Sequence, residues 1–218
     1  MKHVIEVENL SKTLNGNIIL QNVSFSVEEG KIYGFVGKNG SGKTMLFRIL
    51  AGLVNRDSGS LKYYGVEYIF GKQVPLRIGV VIENAGMYPE FSAMDNLKLL
   101  ASINKRVTVK DIEEVIKAVG LDPKDRRKIQ KYSLGMRQRI IFAQAIMEKP
   151  ELLLLDEPTN ALDKEGVGII RQLIKEQKER GCIVCLSSHN REDIDMLCDE
   201  IYQIEEGTLY PERTQNEK

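Results

Sequence analysis

Residues 37–44 constrain this chain more than any other segment. They read Gly37-Lys38-Asn39-Gly40-Ser41-Gly42-Lys43-Thr44, which is the spacing G-x-x-x-x-G-K-[ST] of a phosphate-binding loop. The preceding residues 31–36, Lys-Ile-Tyr-Gly-Phe-Val, are rich in β-branched and aromatic side chains and predict a buried strand. The following residues 44–50 have helical spacing. Strand, glycine loop and helix in that order imply a parallel α/β sheet built around the loop. Gly37, Gly40 and Gly42 let consecutive N–H groups point into one concavity at the positive end of a helix. Lys43 is then placed to reach β- and γ-phosphates, and the Thr44 hydroxyl to ligate Mg²⁺. A loop that merely turns the chain would not need the lysine or this context.

The other bulk features narrow the class. With 218 residues the chain is long enough for one large domain or a domain with an insertion. Lys plus Arg and Asp plus Glu number 31 each, so no basic field attracts nucleic acid and no such partner is expected. No apolar run approaches the ~20 residues of a membrane-spanning helix. The start, Met1-Lys2-His3-Val4-Ile5-Glu6-Val7, meets an acid at once and lacks a signal-like apolar stretch, so a cytoplasmic chain is expected. Three cysteines fit a reducing compartment. Cys182 and Cys185 suggest a C-x-x-C pair, but residues three apart on a strand face opposite ways, and core thiols are expected.

The first third reads as β-rich, with strands over 4–7, 18–27 and 31–36 and a hairpin signal at Asn15-Gly16. Residues 58–65 and 77–82 read as further strands. From 93 to about 149 the pattern is helical, with helices over 93–103, 109–119 and from near Ser133. Residues 152–155 form a short all-apolar strand, as in a sheet covered on both faces. A helix over 163–179, a strand over 183–187, a helix near 192–198 and a terminal hairpin (201–204 with 208–210) follow. The expected fold is therefore α/β: a P-loop NTPase core with a mostly parallel sheet, an N-terminal antiparallel β subdomain and an inserted α-helical subdomain.

The apolar strand ends in Asp156-Glu157. Asp156 at a strand end can hold Mg²⁺ beside the phosphate loop, and Glu157 can take a proton from an attacking water. A strand that simply ends in charged residues is the plain alternative, favoured only without the loop. His189 follows another strand, where open α/β sheets place their ligands. Its imidazole could sense the γ-phosphate. Position alone leaves that open.

Five segments together resemble the nucleotide-binding domain of ATP-binding cassette (ABC) transporters: residues 37–44, then Tyr132-Ser133-Leu134-Gly135-Met136-Arg137-Gln138-Arg139, residues 152–157, Asn160-Ala161-Leu162-Asp163, and Ser187-Ser188-His189. The second is similar to the family signature, L-S-G-G-Q. The resemblance spans essentially the whole chain, and implies one ABC ATPase domain over 1–218. Its ATP-binding core and β subdomain would be 1–83 and 150–218, and its helical signature subdomain 84–149. It implies ATP and Mg²⁺, Glu157 and His189 as catalytic groups, and residues Gly37, Lys38, Asn39, Gly40, Ser41, Gly42, Lys43 and Thr44 around the phosphates. Ser133 also suits the residue type of a helix N-cap, and Gly135 an open first turn; the resemblance implies that they bind the γ-phosphate of ATP held by a second subunit, with Asp163 at the seam. The implied partners are a second ABC ATPase chain, identical or not, and separate transmembrane subunits. The implied location is peripheral, on the cytoplasmic face of the membrane.

Three departures from the family pattern stand out. The signature reads Ser-Leu-Gly-Met-Arg where Ser-Gly-Gly-Gln-Gln is usual. Glu83 stands at a glutamine position that contacts Mg²⁺, keeping an oxygen ligand but adding a negative charge. Leu14 stands where an aromatic residue stacks on adenine. The glutamate and the Tyr-Ser-Leu-Gly-Met signature are similar to a subgroup that exports bacitracin- and lantibiotic-type antimicrobial peptides. In the family, the region of Met87-Tyr88-Pro89-Glu90-Phe91 lines a groove for a membrane subunit's helix; a loop that tucks its aromatics into the local core is the equal alternative. A basic stretch, Lys124, Arg126, Arg127, Lys128 and Lys131, reads as a solvated face, with contact to acidic lipid as the sharper alternative. The main expectation is an exporter ATPase. The alternatives are a soluble ABC-type ATPase acting as a scaffold or mechanical switch and, less consistent with the signature, a small-molecule kinase.

Overall fold

A computed structural model describes residues 4–82 and 86–212. Glu83 lies outside the described residues. The chain forms two sheets. Strands β1 (Ile5–Leu14), β2 (Asn17–Val27), β4 (Ser58–Tyr63) and β5 (Val66–Glu67) make an antiparallel sheet in the order β2-β1-β4-β5. Strands β3 (Ile32–Val36), β6 (Ile78–Val81), β7 (Leu152–Asp156), β8 (Ile183–Ser187), β9 (Glu200–Glu205) and β10 (Thr208–Glu212) make the second, in the order β10-β9-β3-β8-β7-β6. All its neighbours are parallel except β10, which returns antiparallel on β9.

Asn15 and Gly16 join β1 to β2 with positive φ at both, 50° and 79°, the twist of a type I′ turn. A second turn of the same kind, Tyr64-Gly65 with φ of 52° and 77°, takes up the last two residues of what reads in sequence as a strand over 58–65 and leads into the short β5. Tyrosine at its first position hides the signal, because asparagine or aspartate usually marks it.

The helices lie on both sides of the second sheet. Helix α1 (Lys43–Leu50) sits between the two sheets, where Phe47 meets Phe35 of β3 edge to face at 5.5 Å. Helices α2 (Ala93–Asn104), α3 (Val109–Ala118), α4 (Leu134–Ile146) and α5 (Lys164–Glu179) cover the far face. A 3-10 turn, Ile129–Lys131, leads into α4, and α6 (Arg191–Leu197) follows β8. The central strands are apolar on both sides for this reason. In β7, Leu152 and Leu154 join the core shared with α1 and the antiparallel sheet, whereas Leu153 and Leu155 join the helical core. Cys185 faces the first of these cores and Cys182 the second, so the two thiols are separated by the sheet. Burial pushes the Cys182 thiol up to about 12. Among the described residues, no helix is long and apolar enough to cross a membrane.

Candidate functional site

The phosphate loop leaves β3 at Val36 and runs straight into α1. Gly42 occupies the N-cap with φ 112°. An added Cβ there would come within 2.7 Å of the Ile19 carbonyl of β2 and of the Leu20 side chain, so the antiparallel sheet holds the loop from behind. Lys43 folds over the loop and donates to the carbonyls of Gly37 (2.7 Å) and Lys38 (2.9 Å). Burial lowers its pKa, against the opposing pull of Asp156 and Glu157. The Ser41 hydroxyl oxygen is buried without a partner. A polar cradle is thus assembled, with a cation at its rim and an unspent hydroxyl inside.

Strand order brings the acids to this cradle. β7 lies two strands from β3, separated by β8. Asp156 ends β7 and accepts hydrogen bonds from the Thr44 hydroxyl of α1 and the Ser187 hydroxyl of β8. Parallel register sets Asp156 directly opposite Ser187. Glu157 follows in the left-handed region, φ 51°, which turns its side chain out of the strand's alternation. Its backbone N–H donates to the Ser187 carbonyl at 3.0 Å. One carboxylate oxygen, Oε2, accepts from the His189 backbone N–H at 3.2 Å; the other, Oε1, is buried without a hydrogen bond and lies 3.4 Å from His189 Nε2. Desolvation, chiefly, raises the Glu157 pKa, with the His189 backbone N–H opposing it. His189 Nε2 lies 2.6 Å from Asn39 Oδ1. That oxygen only accepts, so Nε2 carries the proton in this arrangement.

A single cleft is lined by Asn39, Gly40, Lys43, Thr44, Asp156, Glu157 and His189, and also by Leu134, Gln138, Asn160 and Ala161. The donor set fits a nucleotide phosphate with Mg²⁺. Among the described residues no cluster of three His, Cys, Asp or Glu side chains exists. One hydroxyl and one carboxylate beside a phosphate cradle is the sparse protein contribution that Mg²⁺ takes when phosphates supply other ligands.

The signature residues sit apart from the cradle's interior. Ser133 is exposed and caps α4, its Oγ accepting from the Met136 N–H at 3.2 Å. Gly135 lies so close to the turn before α5 that a Cβ would stand 3.0 Å from the Ala161 carbonyl. Asp163 caps α5, accepting from Gly166 N–H at 3.0 Å, and pairs with Arg139 of α4 at 2.7 Å. Those two contacts, the Gly166 N–H first, hold its carboxyl below the usual range. Leu14 ends β1 beside the Asn15-Gly16 turn and is 48% exposed. Ile19 and Leu20 of the same hairpin lie against Gly42 of the loop.

Ser187, Gln138 and Arg139 join the site without a sequence expectation of their own. Gln138 donates to the carbonyls of Glu157 (3.4 Å) and Pro158 (3.3 Å). Arg139 lies four residues after Gly135 on the same helix face, a spacing that could have marked it. Ser187 becomes visible only once β8 is known to lie beside β7.

Comparison with known proteins agrees with this geometry. Residues 20–160 match the family described as ABC transporter. The chain is 43% identical to the uncharacterized ABC transporter ATP-binding protein YybJ of Bacillus subtilis, over 94% of each chain. It is 38% identical to the bacitracin transport ATP-binding protein BcrA of Bacillus licheniformis, over 97% of this chain and 70% of that one. Its fold matches the dimeric post-hydrolysis structure of the ATP-binding cassette MJ0796 bound to ADP and Pi, with a TM-score of 0.85, 24% identity and coverage of 96% and 98%.

Proposed function

Since the chain belongs to the ABC transporter family, as one of its ATP-binding proteins, we propose that it hydrolyses ATP as the cytoplasmic, membrane-peripheral subunit of an exporter of antimicrobial peptides, joined to separate transmembrane subunits. One observation carries the catalytic part: Asp156 is hydrogen-bonded to Thr44 of the phosphate loop while the adjacent Glu157 keeps a buried carboxylate oxygen without a hydrogen bond in the same cleft.

In this reading the N–H groups of Gly40, Ser41, Gly42 and Lys43, with the Lys43 ammonium, hold the β- and γ-phosphates. Lys43 leaves the Gly37 and Lys38 carbonyls to do so. Thr44 and Asp156 would hold Mg²⁺, which when bound neutralises charge on the phosphate oxygens. Glu157 orients a water and accepts its proton as the water oxygen attacks the γ-phosphorus; the bond to the bridging oxygen breaks and ADP and phosphate leave. The raised pKa of Glu157 makes it a stronger base than a solvated carboxylate. His189 turns its Nε2–H from Asn39 to the γ-phosphate.

Ser133 and Gly135 complete the site of a second chain in a head-to-tail dimer. The exposure of Ser133 and of the neighbouring Leu134, which is 61% exposed, supports that role. Asp163, tied to α4 through Arg139, sits between the two half-sites. The division into a core (1–83 and 150–218) and a helical lobe (84–149) belongs to the same reading, supported by the three helices α2–α4 between β6 and β7. The peptide cargo rests on the likeness to a bacitracin transport protein.

The test is Mg-ATP hydrolysis by Glu157→Gln. The expected variant binds ATP, loses nearly all turnover and accumulates as a dimer in sizing. Wild-type turnover would remove Glu157 from the role of base.

A further inference from the structure

Asp193 in the first turn of α6 has no part in the chemistry above, yet its side chain is fully buried. Its Oδ2 accepts from the hydroxyls of Thr159 (2.6 Å) and Ser188 (3.1 Å). Its Oδ1 accepts from Arg171 Nε of α5 at 2.7 Å, and Nη2 of the same guanidinium, which donates to Glu192, forms an ion pair with it at 2.6 Å. Three hydrogen-bond donors and the guanidinium charge therefore satisfy a buried carboxylate, and such networks are stiff when complete. The two hydroxyls are informative by position. Thr159 stands two residues after Glu157, and Ser188 one residue before His189. One carboxylate thus clamps the two backbone segments that carry the proposed base and the proposed phosphate sensor. Those segments also meet directly, through Glu157 N–H to the Ser187 carbonyl and His189 N–H to Glu157 Oε2. Glu157 itself holds a left-handed backbone that persists only where surroundings over-determine it.

We propose that Asp193 is a positioning residue for hydrolysis: through Thr159 and Ser188 it sets the distance between Glu157 and His189 and links both to helices α5 and α6, without touching the nucleotide. This rests on the assignment of Glu157 and His189 above. Loosening this clamp would let the Glu157 and His189 segments move relative to one another, and displacement of a reacting group by about 1 Å suffices for about a hundredfold loss of rate.

The experiment compares the full chain with Thr159→Val, Ser188→Ala and Asp193→Asn, measuring kcat, KM, the affinity for a non-hydrolysable ATP analogue and Tm. The first two remove one donor each and keep the fold measurable if Asp193→Asn does not. The expected result is a roughly ten- to hundredfold fall in kcat, with KM and analogue affinity within about twofold of wild type. In a Glu157→Gln background the same substitutions should cause a clearly smaller loss in the residual single-turnover rate, because the part that acts through that carboxylate is already gone. An unchanged kcat per folded molecule overturns the proposal, as does a loss that adds fully to that of Glu157→Gln. If Glu157→Gln alone keeps wild-type turnover, the assignment of the base fails first and the positioning role falls with it; if Glu157→Gln is inactive and Thr159→Val and Ser188→Ala are normal, only the positioning role fails.

Discussion

Glu157, the proposed base, makes its protonation a stability question at the scale of one residue. Desolvation raises its pKa above the ordinary 4.5, so the folded chain holds that proton more tightly than the unfolded chain. Its contribution favours the fold at low pH and is lost as pH rises through the elevated folded value. At about pH 7 the ionised side chain therefore costs stability that a glutamine would not. Glu157→Gln should melt above the wild type near neutral pH in the absence of nucleotide, with the difference closing as pH falls below the ordinary carboxylate range; thermal melts across that range check it, and a constant difference would show that titration is not the cause. Lys43 gives the complementary case. Its ammonium now rests on two loop carbonyls, and in Lys43→Ala the phosphates lose their only loop cation besides Lys38. ATP affinity should collapse in that variant while Mg²⁺-independent properties such as the fold persist; calorimetric titration that returned wild-type affinity would contradict the phosphate cradle.

At the scale of elements, helix starts carry the site. α1, α4 and α5 begin at Gly42, Ser133 and Asp163, and each N-terminus offers free N–H groups and a positive dipole end. Ser133 has two roles that substitution can separate. Ser133→Ala removes the cap bond to Met136 and should cost about 1 kcal/mol of stability. Ser133→Asp keeps a good cap, so its Tm should stay near that of wild type, yet it sets a carboxylate where a second chain's γ-phosphate is expected. It should lose ATP-driven dimerisation, read by sizing of the Glu157→Gln double variant; a normal dimer would confine Ser133 to capping. The pair Arg139–Asp163 ties α4 to α5, and Gly135 admits the Ala161 carbonyl at the same junction, so two contacts join the signature helix to the start of α5.

At the scale of the molecule, the parallel sheet is sealed on both faces, and its middle strands have no solvent side. Leu153 and Leu154 are both fully buried, one in each core. Truncating either to alanine should cost about 3–4 kcal/mol, seen as comparable drops in Tm; a mild effect at one of them would mean that its face is loosely covered. The transporter assignment is tested at this scale too. The chain recovered from gently solubilised membranes should bring a polytopic protein with it, and cationic antimicrobial peptides should change the ATPase rate of that complex. Recovery with soluble partners alone would favour the scaffold reading.

The phosphate loop, the strand ending in Asp156-Glu157, the cap at Ser133 and the hairpin at Asn15-Gly16 were legible in the sequence. Each is a local pattern: glycine backbone freedom, apolar runs and cap chemistry act over a few residues. Local patterning also placed the helices to within a residue or two, and it separated Cys182 from Cys185, because alternation along a strand is independent of the fold around it. Strand order was not local. That β8 lies between β3 and β7, putting Ser187 against Asp156, follows from packing elements far apart in sequence. The same packing buries Asp193 against Thr159, Ser188 and Arg171, three positions no spacing rule connects. The second turn, Tyr64-Gly65, stayed hidden because its residue types are compatible with a continuous strand, and only the pairing of β4 with β5 decides for a turn. The sequence by itself determined which ligand the chain is built to hold. The tertiary structure alone decided how Glu157, His189 and Asp156 are held against one another, because those distances arise from contacts across strands and helices and not from neighbours along the chain.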